Sequence, residues 1–89
     1  MAKKRRKLNK DFEKKIYSSK KNVELVLAKI YDIDDEDIQK EYMTAFNEVV
    51  QLYDELRACY EEIGFNDDSD QLLANYKNAF NLFELEFEI

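Results

Sequence analysis

The chain contains no histidine, no proline and no tryptophan, and it holds one glycine, Gly64, and one cysteine, Cys59. Each absence excludes something. Without histidine there is no conventional hydrolytic triad, no imidazole metal ligand and no base that titrates near neutrality. Without proline, and with a single glycine, most residues that break helices or make tight turns are missing. A glycine-rich phosphate loop cannot be built at all. One cysteine forms no intrachain disulfide, which suits a reducing, intracellular setting. Cys59 also falls on an apolar helix face, where a free thiol behaves as a small hydrophobe. No apolar run is long enough to span a bilayer, and the basic start is not followed by the apolar stretch of a secretory signal. Ser18, Ser19 and Ser69 sit in charged or capping contexts. The expectation is a protein that is not an enzyme and takes no cofactor, metal or small-molecule substrate.

What is present is helix-forming and charged. Of 89 residues, 45% are apolar and twelve are Phe or Tyr, too many for a disordered acidic tail although 38% of the chain is charged. This length supports one small domain with a modest margin of stability. Charge is divided unevenly along it. The first twenty-one positions carry ten Lys and Arg against Asp11 and Glu13, a formal +8, and the rest carries eighteen acids against Lys29, Lys40, Arg57 and Lys77, a formal −14. Such asymmetry bears on partners and not on fold.

Apolar phase divides the chain into three helices. Phe12, Ile16, Val23, Val26 and Ile30 follow steps of four and three, interrupted only by Ser19, so a first helix is expected over about residues 9–31. A second stripe, Ile38, Tyr42, Ala45, Val49, Leu52, Leu56, Cys59 and Ile63, runs without a miss. The two stripes are out of phase, so the chain must break at Asp32–Asp37. Asp34 is the candidate N-cap there, with Ile33 placed to staple onto Ile38. Gly64 ends the second helix in a conformation other residues avoid, and Phe65 is expected to fold back on Tyr60. Asp68 with Gln71 makes a loose capping box for a third helix, whose buried face is Leu72, Leu73, Tyr76, Ala79, Phe80, Phe83 and Phe87. Its last seven residues, FELEFEI, also alternate with the period of a strand. A lone strand would have no ladder partner, so helix is favoured to about Glu86, with a short strand as the alternative.

The fold class expected is all-α: a three-helix antiparallel bundle over residues 9–89, preceded by a flexible basic arm at residues 1–8. In heptad register, Glu41, Glu48, Glu55 and Glu62 form an acidic flank of the second helix and Phe46, Tyr53 and Tyr60 an aromatic one. Lys15 and Lys29 of the first helix are expected to meet the acidic flank in a helical hairpin, with the third helix packed on the aromatic flank.

Two acid-rich segments, Asp32–Asp37 and Asn66–Asp70, fail the EF-hand pattern, because the sixth position is not glycine and the twelfth is Met43 or Lys77; helix capping accounts for them. The arm residues Lys3, Lys4, Arg5, Arg6 and Lys7 are candidates for polyanion binding or, in a nucleated host, nuclear import. The acidic flank offers a contrasting reading as an imitation of nucleic acid. The functional expectation is a small helical protein, a regulator or inhibitor that works by binding another protein or a second copy of itself, with no membrane contact. Its main contact is expected at Leu82, Leu85, Phe87 and Ile89, where the third helix is apolar on more than one side. The alternatives are a nucleic-acid-associated regulator using the basic arm and an acidic nucleic-acid mimic.

Overall fold

The computed structural model describes residues 8–87. They form three helices, α1 (Lys10–Tyr31), α2 (Glu36–Ile63) and α3 (Asp67–Phe87), with no β-strand among the described residues. Polyanion candidates Lys3, Lys4, Arg5, Arg6 and Lys7, and the contact candidate Ile89, lie outside the described residues.

Capping chemistry sets each helix end. Asn9 begins α1 by accepting the Phe12 N–H on its side-chain oxygen at 3.0 Å. Asp35 begins α2 with Oδ1 accepting from the Asp37 and Ile38 N–H groups at 2.9 and 3.1 Å. The cap is therefore Asp35 and not Asp34. Two adjacent aspartates have equal capping chemistry, and the register is decided by Gln39, whose Nε2 donates to the last-turn carbonyls of α1, Ile30 O and Tyr31 O, both at 3.1 Å. With this register Ile38 is 44% exposed.

At the other turn, Gly64 has φ 74° and ψ −153°, a combination open essentially to glycine alone, and its N–H donates to Tyr60 O at 2.8 Å. The box that starts α3 is Asn66 with Ser69, two residues earlier than the Asp68–Gln71 expectation. Ser69 N–H donates to Asn66 Oδ1 and Asn66 N–H donates to Ser69 Oγ, each at 2.9 Å. A serine at this position closes a shorter box than glutamine and is fully buried while doing so. Phe65 packs edge-on to Phe12, centroids 5.0 Å apart, carrying the turn onto the start of α1.

The helices run up, down and up. Phe12 at the start of α1 meets Tyr60 near the end of α2, and Tyr42 near the start of α2 meets Phe87 at the end of α3. Hence α1 and α3 are parallel to each other and antiparallel to α2. Their shared core centres on Phe46, Ile30 and Leu56, all 0% exposed. On α2 the deepest residues are Phe46, Val49, Tyr53, Leu56 and Tyr60. The 4–3 stripe starting at Ile38 is thus only part of the buried face, because a helix touched by two neighbours buries an arc centred between the stripe and its aromatic flank.

Packing is unequal. The α2–α3 interface is far more extensive than α1–α2, and α1 approaches α3 only slightly. Phe46 lies 4.8 Å from Phe83 and 6.1 Å from Phe80, and Tyr53 lies 5.9 Å from Tyr76, so aromatic rings fill the seam between α2 and α3. The helical hairpin of α1 and α2 forms, but the lysine–glutamate pairs expected along it do not. Lys15 and Lys29 face the space between α1 and α3, and the ion pair among the described residues is Arg57–Glu61 within α2, at 3.5 Å with both side chains largely exposed. Orientation follows ring packing, since exposed pairs of this kind contribute about 0–1 kcal/mol.

The FELEFEI segment is helical through Phe87. Phe83 and Phe87 stack at 4.9 Å, Phe87 closes on Tyr42 at 4.7 Å, and the Tyr42 hydroxyl donates to Phe87 O at 3.4 Å. Rings four residues apart find a common partner in helical geometry, which decides against the strand alternative over residues 83–87.

Candidate interaction surfaces

Packing α3 on α2 with Leu73, Tyr76, Phe83 and Phe87 inward dictates what α3 shows outward. Leu82 and Leu85 are 65% and 78% exposed. Toward the N-terminus the same outer face continues through Asn78, Asn75 and Gln71 in steps of four and three, all exposed and all uncharged. Gln71 Nε2 donates to Asn75 Oδ1 at 3.0 Å, which orders the polar end of this stripe. Ile89 continues the spacing in sequence. Phe87, grouped with these residues on sequence grounds, is instead turned inward onto Tyr42. In a chain so rich in charge, an uncharged stripe with two bare leucines is the arrangement found at the centre of protein interfaces, where charged residues are depleted.

The acidic residues Glu41, Glu48, Glu55 and Glu62 are all exposed on the outer side of α2, opposite the core. Seven-residue spacing separates them by about 10.5 Å each. Among the described residues no three His, Cys, Asp or Glu side chains gather as a metal site requires. Asp35 and Asn66, from the two acid-rich segments, are occupied as helix caps.

A third surface was not anticipated. Between α1 and α3 lies an open groove of about 550 Å³. Its base is formed by Ser19 and Val26 of α1 with Tyr76 and Phe80 of α3. One strut crosses it: the Tyr76 hydroxyl donates to Ser19 O at 3.3 Å, while Ser19 Oγ turns back to Lys15 O at 2.8 Å. Burial of this phenol pushes its pKa up to about 12, against a smaller opposing effect of the hydrogen bond. Along the rim stand Lys14, Lys15 and Lys29 from α1 and Lys77 from α3, with Glu84 as the acid. The sequence signal for this groove is the pair Lys15 and Lys29, which heptad register directs toward α2 and which the structure places on the α3 side instead.

Two further groups sit at the seams. Tyr53 Oη is buried with no hydrogen-bond partner of good geometry among the described residues, and burial raises its pKa although the nearby Arg57 guanidinium, 5.8 Å from the ring centroid, works the other way. Partial burial, then Asp68 and Glu62, raise the pKa of the Cys59 thiol, which disfavours the nucleophilic thiolate. No helix among the described residues is long and apolar enough to cross a membrane. No protein-family model matches the chain, and neither a curated protein nor a solved structure matches it.

Proposed function

We propose that this chain is a non-catalytic helical interaction protein that binds another protein through the outer face of the C-terminal half of α3. One observation carries the reading: Leu82 and Leu85 stand exposed at the end of an uncharged stripe that continues through Asn78, Asn75 and Gln71. Covering each leucine contributes about 1.5–3 kcal/mol, and the asparagines can be covered without desolvating a charge. A helix from the partner laid along this stripe would meet side chains at the spacing that helix pairs use.

A pull-down from the native host, comparing wild type with the Leu82→Ser/Leu85→Ser double variant, with and without nuclease, tests the reading. The expected outcome is a captured protein that survives nuclease and is lost with the variant, whose helical signal remains near wild type. Capture unchanged by the double substitution would overturn it.

A second reading, association with nucleic acid through Lys3, Lys4, Arg5, Arg6 and Lys7, is favoured by the continuation of that basic run along α1, where Lys10, Lys14, Lys20 and Lys21 are all exposed. Loss of the captured species on nuclease treatment, with a steep salt dependence removed by neutralising the arm, would select this reading.

A further inference from the structure

We propose that the groove between α1 and α3 is a docking site for an acidic amphipathic helix of a partner protein, which would lie there as the fourth helix of the bundle. The inference stands apart from the α3 outer stripe. Leu82 and Leu85 do not line the groove, so either surface can fail without the other.

Geometry is the first support. Helices α1 and α3 are parallel, both rest on α2, and they scarcely touch each other. That is three corners of a four-helix arrangement with the fourth position open. From Lys14 to Lys29 the α1 wall runs roughly 22 Å, the length of a helix of about fifteen residues.

The lining has two parts that call for an amphipathic occupant. Val26 and the half-buried Phe80 give the base an apolar strip, and Leu25, 61% exposed, extends it to the lip. Above it, Lys14, Lys15, Lys29 and Lys77 have no ion-pair partner among the described residues. Four uncompensated cations against Glu84 make this side of the molecule positive, although the chain as a whole is formally −6. A helix with leucines on one side and glutamates flanking them would cover the strip and pair with the rim, and charge matching of this sort selects partners and speeds encounter.

The same lining disfavours a nucleic acid strand. Strand binding without base readout uses open ring faces for stacking. Tyr76 is buried, and the Phe80 ring is engaged by Phe46 and Tyr76.

The test uses the full chain and two labelled synthetic helical peptides of about fifteen residues with leucines in 4–3 spacing, one with glutamates and one with lysines at the remaining positions. Fluorescence anisotropy at low and moderate salt should show binding of the glutamate peptide at least about tenfold tighter than the lysine peptide. The Lys15→Glu/Lys29→Glu/Lys77→Glu variant should lose about tenfold or more in affinity for the glutamate peptide and gain affinity for the lysine peptide. All three sites are exposed, so unchanged helical signal certifies the variant as folded. A milder Leu25→Ser variant should weaken the glutamate peptide about threefold while leaving the charge preference intact. Equal binding of the two peptides, or none, overturns the proposal. So does an oligonucleotide binding more tightly than the glutamate peptide, which would assign the rim to phosphates. A wild-type dimer dispersed by the triple variant would likewise overturn it, by assigning the groove to a second copy of the chain.

Discussion

The two seams that α3 makes with its neighbours are built from different materials. Against α2, α3 sets Tyr76, Phe80 and Phe83 among Tyr53 and Phe46, with ring centroids 4.8 to 6.1 Å apart. Against α1 it makes a single hydrogen bond, Tyr76 to Ser19 O, beside an open groove edged with lysines. Aromatic side chains bury large areas and lock in preferred geometries, so the first seam supplies stability. Lysines on a rim contribute little to folding but leave a charged, accessible surface. In a bundle of this size, stability can be concentrated in one seam so that another stays available for binding.

The largest expected effect is at the ring seam. Phe46→Ala should destabilise by about 3–5 kcal/mol in chemical denaturation, and Leu56→Ala by about 2–4 kcal/mol, since both are fully buried and truncation leaves a cavity. If Phe46→Ala cost no more than a surface change, the division between the seams would collapse.

Next comes the strut. The folded-state pKa of Tyr76 is raised from 10.0 to about 12, so the folded chain keeps this proton over a range in which the unfolded chain gives it up. Stability from this source is therefore complete below pH 10 and is lost as pH rises toward 12, by about 2–3 kcal/mol. Denaturation midpoints across pH 9 to 12 should fall more steeply for wild type than for Tyr76→Phe.

Smaller again is the turn that brings α3 back along α2. Gly64→Ala places a Cβ in a region that L-residues avoid and should cost about 1–3 kcal/mol, read as a lowered thermal midpoint without change of helix content. The smallest effects belong to the open seam: Lys15→Ala, Lys29→Ala and Lys77→Ala should each fall within about 0.5 kcal/mol of wild type. A large loss at any of them would show that the rim holds the fold together.

Much of this architecture could be read from the sequence, and the failures have physical causes. Phase alone locates the breaks, because stripes such as Phe12–Ile30 and Tyr42–Ile63 cannot share one side of a rod. Gly64 marks an end for the same kind of reason, one residue type fitting one backbone region. Asp34 and Asp35 could not be told apart, since the choice rests on Gln39 reaching the end of α1. Ser19 looked like a gap in the α1 stripe yet is buried, its hydroxyl satisfied by Lys15 O. The partners of Lys15 and Lys29 were misassigned because pairwise heptad rules fix which flanks meet when two helices pack, and here a third helix turns those flanks elsewhere. Leu82 and Leu85 are legible as outward-facing residues and Phe87 as part of the buried face; what phase does not show is that Tyr42 receives Phe87, so that this ring does not also serve the outer contact.

Native-state hydrogen exchange tests the asymmetry of the bundle most directly, because it reads opening free energy helix by helix. Amides at the centre of α2 and α3, such as those of Val49, Leu56 and Tyr76, should exchange only through global unfolding. Those at the middle of α1, around Val23, should exchange through an opening at least about 1 kcal/mol cheaper, since α1 packs on α2 less extensively than α3 does and meets α3 only slightly, at the Tyr76–Ser19 strut. Equal protection across all three helices would contradict the account.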